Sequence, residues 1–172
     1  MLKATITKAL SNQVNAEFYS AYLYLMMSAH CDRLGFKGFA NWLYIQAHEE
    51  SAHAKHIYQH ILERGEAVQF SAIALPEGSW NNLISIFEHV LRHEQHVTEL
   101  INSIATLAMK ENDHATYNFI QWYINEQVEE ESGADEILQK LKFIGDNTGM
   151  LYNMDTEMAA RVFVDPFAAA TN

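Results

Sequence analysis

The chain has 172 residues, of which 22 are acidic and 11 basic, for a formal net charge of -11. That length suits one domain with a real hydrophobic core, and the acidic excess argues against nucleic acid and anionic membranes as partners while leaving cations open. The single cysteine, Cys31, excludes an internal disulfide, a CxxC zinc site and a cysteine-ligated iron–sulfur centre within this chain.

The N-terminal stretch MLKATITKALSNQVNAEFYS has no long apolar core and no small-residue cleavage site, so a cytoplasmic protein without a signal peptide is expected. No run approaches the roughly 18 uncharged apolar residues of a membrane span. With only 7 glycines and 2 prolines, breaks are few. The first predicted helix runs to Gly35-Phe36-Lys37-Gly38. Laid out at about 100° per residue, its apolar stripe is Leu10, Val14, Ala21, Tyr24, Ser28 and Cys31, with Glu17 in the middle.

The second helix follows and ends near Gly65. Its stripe is Leu43, Ala47, Ala54, Ile57 and Ile61, with Glu50 at the centre and Gln46 and His53 on the flanks. A long connection, from about Gly65 to Ser79, contains Pro76 and Gly78. Its apolar Val68, Phe70, Ile73 and Leu75 suggest a segment packed along the bundle. The third helix carries Leu83, Phe87, Val90, Leu91, Val97, Ile101, Ala105 and Ala108, with Glu94 as the one charge among them. It ends at Glu111-Asn112-Asp113-His114. The fourth carries Ile120, Tyr123, Ile124, Ala134, Leu138 and Leu141, with Gln127 in the middle and Glu130 beside it. A break at Gly145–Gly149 precedes a short fifth helix, from about Leu151 to Phe163.

Two short turns and one long connection predict an all-α four-helix bundle with a single crossover. Residues 1–165 form its one domain, and residues 166–172 are expected to be a loosely ordered tail.

Each long helix therefore puts a carboxylate or amide where an apolar residue belongs. An unpaired buried carboxylate is costly, and no lysine or arginine lies on these stripes. A multivalent cation is the simplest compensation. Depth agrees. Glu17 precedes Gly35 by as many positions as Glu94 precedes Asn112, and Glu50 follows Gly35 by as many as Gln127 follows Asn112. With the constant rise per residue of an α-helix, all four reach one level in mid-bundle. One and the same sequence separation relates Glu17 to Glu94, Glu50 to Gln127, and His53 to Glu130, an internal two-fold of the site. Glu50-Ser51-Ala52-His53 is an ExxH, which puts both side chains on one helix face. Helical di-iron carboxylate proteins use this motif together with lone glutamates from neighbouring helices.

The strings NAEFYSAYLYLMMSAHC, AHEESAHAKHIYQHI, EHVLRHEQHV and NFIQWYINEQVEEE resemble the non-haem bacterial ferritins, over about residues 1–165. The resemblance implies a ferritin-like bundle and a ferroxidase site. One iron would be held by Glu17, Glu50 and His53 and the other by Glu50, Glu94 and Glu130, with Gln127 near the first. A third iron would sit by Glu49, Glu126, Glu129 and Glu130. Tyr24 matches the family's tyrosine beside the site. Fe2+ would be oxidised to Fe3+ by dioxygen or peroxide, and the mineral stored in a homo-oligomeric shell of about 24 subunits with closed symmetry. Haem is not expected, because Ser51 stands where the haem-ligating methionine of bacterioferritins would be.

Two other readings remain open on the residues alone: a di-metal oxygenase acting on an organic substrate, and a bundle held together by structural metal. Cys31 and Trp122 read as packing residues. His56, His60, His89 and His93 read as solvated or interface histidines rather than ligands.

Overall fold

The computed structural model describes residues 2–168. Five helices follow one another: α1 (Ala4–Leu34), α2 (Lys37–Glu63), α3 (Leu83–Lys110), α4 (His114–Ile144) and α5 (Thr148–Met158). Among the described residues everything else is turn or irregular chain. No helix among them is long and apolar enough to cross a membrane.

The turns form where the sequence supplies a left-handed residue or a cap. Gly35 ends α1 at φ 92°, a conformation open to glycine without a Cβ penalty; its N–H bonds the Asp32 carbonyl and the Phe36 N–H bonds that of Cys31. Asn82 and Ser85 cap α3 reciprocally. Asp113 caps α4 through the Thr116 N–H, so His114, expected in the turn, is the first helical residue. Asn147 caps α5 three residues earlier than expected, through the Met150 N–H.

The connection between α2 and α3 runs the length of the bundle, as expected, but not for the expected reason. It follows α1: the Gln69 N–H bonds Ser11, Asn15 bonds the carbonyls of Ser71 and Ala72, and Trp80 packs on His30 near the end of that helix. Phe70 and Leu75 are each 73% exposed, and Ile73 is exposed too. Of its four apolar residues only Val68 packs on the core; bonds to its backbone and the buried Pro76 and Trp80 hold the rest of the segment.

Ion pairs at one end agree with this topology. Lys3 reaches Glu111 at 2.8 Å, and Arg64 reaches Asp113 at 3.1 Å, joining the start of α1 and the end of α2 to the α3–α4 turn. At the other end α5 closes the bundle. The start of α2 has no side-chain cap of its own. Asp155 of α5 accepts the N–H groups of Gly38 and Phe39, at 2.9 and 3.0 Å, and so completes that helix end.

The core is divided. One apolar cluster gathers Leu23, Met27, Phe39, Leu43, Phe87 and Leu138 at the α5 end. Another gathers Ile6, Leu10, Ile57, Ile61, Ile101 and Ile120 at the opposite end. Between them lies a buried layer of Glu17, Glu50, Glu94 and Gln127, each at most 5% exposed. Cys31 sits inside the first cluster, where burial pushes its thiol up to about 12, a poor nucleophile. Phe167, in the expected tail, packs on Trp122 and His56, while residues 169–172 lie outside the described residues.

Gly38 is where α5 meets α2, and a methyl group there overlaps the Asp155 carbonyl. Gly38→Ala is expected to destabilise the protein by about 1–3 kcal/mol, the usual cost of overpacking a close contact. Chemical denaturation measures the loss, and hydrogen exchange localises it to α5.

Candidate metal centre

Glu17, Glu50 and His53 each offer a ligand atom within 4.8 Å of the other two, and all three side chains are buried. Helix geometry accounts for the grouping. Glu50 and His53 stand three residues apart on one face of α2, with His53 Nδ1 3.5 Å from Glu50 Oε2. Glu17 faces them from the middle of α1. Its carboxylate is held by the Gln13 amide, one turn earlier, at 3.0 Å.

The second half of the ring comes from α3 and α4. Glu94 accepts the Tyr24 hydroxyl on one oxygen and the Gln127 amide nitrogen on the other, the latter at 3.3 Å. The same nitrogen also lies 3.2 Å from the Glu94 carbonyl and 3.3 Å from Thr98 Oγ1. An amide nitrogen carries no lone pair for a metal, so in this orientation Gln127 holds Glu94. Glu130 accepts the Gln46 amide at 2.6 Å.

The electrostatics follow from crowding acids in a core. Burial, then the charge of Glu50, raises Glu17 to about 8. Burial, then the charge of Glu130, raises Glu50 to about 8 and lifts Glu94 well above the usual carboxylate range. Burial raises Glu130 to about 7. Such carboxyls keep protons near neutrality until a cation replaces them.

Aromatic rings wall the histidine side. His53 lies edge-on to Trp122 and Tyr123, with centroids 5.4 and 5.9 Å away. Tyr123 donates its hydroxyl proton to the His53 carbonyl at 3.0 Å, so His56 Nδ1, at 3.0 Å, must donate to the same oxygen. Trp122 thus has the packing role expected of it.

Glu49, Glu126, Glu129 and Glu130 line one open cleft of about 460 Å³ beside this ring, together with Trp42, Lys140 and Arg161. Burial raises both Glu49 and Glu126. The structure thus brings the seven acids named from the sequence into two adjoining groups, with Tyr24 and Gln127 bound to Glu94.

Gln13 had no place in the sequence pattern, and Gln46, on the flank of the α2 stripe, had no role there. Each precedes a site glutamate by four residues, a helical spacing that signals contact. Arg161 had no such signal. Although no cation lies on the stripes, this one arrives from beyond α5 and pairs with Glu49.

The histidines read as solvated or interface residues are each half-buried against side chains of this chain. His93 bonds Ser20 at 2.8 Å and lies beside Tyr19 and Tyr24, and burial lowers it to about 4. His89 accepts the Trp80 indole N–H at 3.1 Å. His56 stacks on Phe167 and His60 on Phe119.

Comparison with known proteins agrees with this architecture. Residues 7–144 match the model of the ferritin-like domain. A bacterial non-heme ferritin of Staphylococcus saprophyticus is 41% identical over 163 residues, covering 95% of this chain and 98% of that protein. One from Staphylococcus aureus is 36% identical over the same coverage. Among solved structures, an engineered closed form of the Archaeoglobus fulgidus ferritin superposes with a TM-score of 0.94 at 43% identity, covering 95% of this chain and all of that one. The open-pore ferritin of the same archaeon superposes with a TM-score of 0.92, also at 43% identity, covering 94% and 98%.

The raised carboxyls make the metal-free protein sensitive to pH in a definite direction. Glu17 and Glu50 bind protons more tightly folded, near 8, than at their ordinary value of 4.5. Stability is therefore full at low pH, as far as these groups are concerned, and falls as pH rises from about 4.5 to about 8. Metal-free protein is expected to melt at a lower temperature at pH 8 than at pH 6. Glu17→Gln should flatten that slope and melt higher than the native chain at pH 8. A saturating divalent cation should restore the native protein but not the variant. Differential scanning calorimetry across pH checks all three.

Proposed function

Since the chain belongs to the ferritin family, we propose that it is an iron-storage ferroxidase that takes Fe2+ as substrate at the buried carboxylate ring and oxidises it to Fe3+. The observation that carries this reading is the group of Glu17, Glu50 and His53, with ligand atoms within 4.8 Å of one another in an otherwise apolar core. Oxygen and imidazole nitrogen suit iron better than softer metals.

Glu17, Glu50 and His53 bind one Fe2+. Glu50, Glu94 and Glu130 bind the second, with Glu50 bridging. As each ion arrives, the carboxyls release the protons that burial had kept on them. Two Fe2+ then give up one electron each. The electron pair reduces dioxygen to hydrogen peroxide, with two protons from solvent, or hydrogen peroxide to water. Anionic oxygen donors favour Fe3+ over Fe2+, which pulls the reaction forward. The Tyr24 hydroxyl holds Glu94; when the ring has one electron too few it supplies that electron, its proton passes to Glu94, and a later Fe2+ returns the electron. Gln127 keeps Glu94 oriented and, near the first iron, orients water or oxygen.

A third iron position in the cleft of Glu49, Glu126, Glu129 and Glu130 carries ions between the ring and the store. The lining of that cleft favours a cation over the organic substrate an oxygenase would need. Storage requires an enclosed volume larger than one subunit. Exposed Tyr22, Leu25 and Tyr44 on α1 and α2, with Phe70, Ile73 and Leu75 on the crossover, give apolar surface for a second copy of the chain. In this reading such contacts build a hollow cytoplasmic homo-oligomer of about 24 subunits.

Anaerobic protein mixed with Fe2+ and then exposed to oxygen is expected to oxidise iron much faster than buffer. Glu50→Ala should lose about 100-fold or more of that rate, because it removes the bridging ligand. Size-exclusion mass and iron content complete the test. A large shell holding far more than two irons per subunit supports storage. A small oligomer limited to two irons, or full activity in Glu50→Ala, overturns it.

A further inference from the structure

We propose that Arg161 is a built-in counter-cation that competes with iron for the acidic cleft, so that a metal ion bound there unlatches the chain segment following α5. The proposal rests on the reading of that cleft as a third iron position.

The end of α5 is shaped for this. The helix stops at Met158 rather than continuing to Phe163, as its apolar pattern suggested. The Asn41 amide takes the carbonyls of Met158, Ala159 and Arg161, the last at 2.9 Å, and turns the chain back along α2. The Arg161 guanidinium then lies over the Trp42 ring, 4.4 Å from its centroid. It donates to the Trp42 carbonyl at 3.3 Å, to Gln46 Oε1 at 2.8 Å and to Glu49. The segment beyond follows α2, with Phe163 against His48 and Phe167 against His56, Trp122 and His53. The strap thus leaves the edge of the cleft at Arg161 and ends on the rings around a residue of the metal centre.

Two consequences follow from the donor chemistry. Arginine only donates, so the oxygen of Gln46 must face Arg161 and its nitrogen must face Glu130, 2.6 Å away. One guanidinium therefore sets the orientation of the side chain bound to Glu130. It also shares Glu49 with any ion in the cleft, at close range and with the same sign of charge. Binding of either cation must weaken binding of the other, by the same factor in both directions. An ion in this cleft is thereby held loosely enough to move on, and Arg161 compensates Glu49 after it leaves.

The test uses metal-free assembled protein titrated with Zn2+, a redox-inert probe, by calorimetry, with the bound ions located by anomalous diffraction. Arg161→Gln is expected to tighten Zn2+ binding in the cleft about tenfold, within the usual range of coupling between two sites, with a smaller change at the ring, which it reaches only through Gln46 and Glu130. Arg161→Lys, which keeps the charge, should stay close to the native affinity. In the native protein, filling the cleft should speed exchange of the bonded amides of the strap, those of Arg161, Phe167 and Ala168. Equal or weaker cleft binding in Arg161→Gln overturns the competition. If that variant fails to assemble, unchanged exchange in the native protein with the cleft filled overturns it as well. Zn2+ found at the ring but never in the cleft, in native or variant protein, overturns the third-position reading itself.

Discussion

Everything in this molecule is arranged around like charges buried at one level. Glu17, Glu50 and Glu94 are each at most 3% exposed, and Glu130 adjoins them. A bundle without function would replace them with leucine and gain stability, since unpaired buried charge is strongly unfavourable. The surrounding structure tolerates the layer in two ways. Protons stay on the carboxyls, and donors from Gln13, Tyr24, Gln46 and Gln127 each satisfy an oxygen. Neither device removes the cost of burying the layer.

The bundle exists to hold that layer in place. Two separate apolar clusters grip the helices on either side of it. Tyr123, tied to the His53 carbonyl, locks α4 to α2 at the level of the site. The end contacts are polar and directional: Asp155 on the start of α2, Arg64 and Lys3 at the far turn. They set register where apolar packing alone would allow sliding.

Periodicity made the central ring legible. A glutamate on an apolar stripe stands out in one dimension, and matched distances from the turns put Glu17, Glu50, Glu94 and Gln127 at a common depth. The connection between α2 and α3 was harder. Its aliphatic residues looked like core because composition was the only guide, whereas Phe70 and Leu75 remain on the surface. The histidines were not resolved by spacing. An imidazole is amphipathic, so sequence cannot say whether it meets water, another subunit or a phenyl ring of its own chain, as His56 and His60 do.

The sequence by itself determined the helical class, the number of long helices, the single crossover and the ring of acids, because each is written in local spacing along one chain. The tertiary structure alone decided where α5 ends, which way the amides of Gln46 and Gln127 point, and which cation reaches Glu49. Arg161 and Gln46 lie 115 residues apart, with no repeat relating them. Contacts of that kind depend on how the chain closes on itself, and one-dimensional periodicity carries no trace of them.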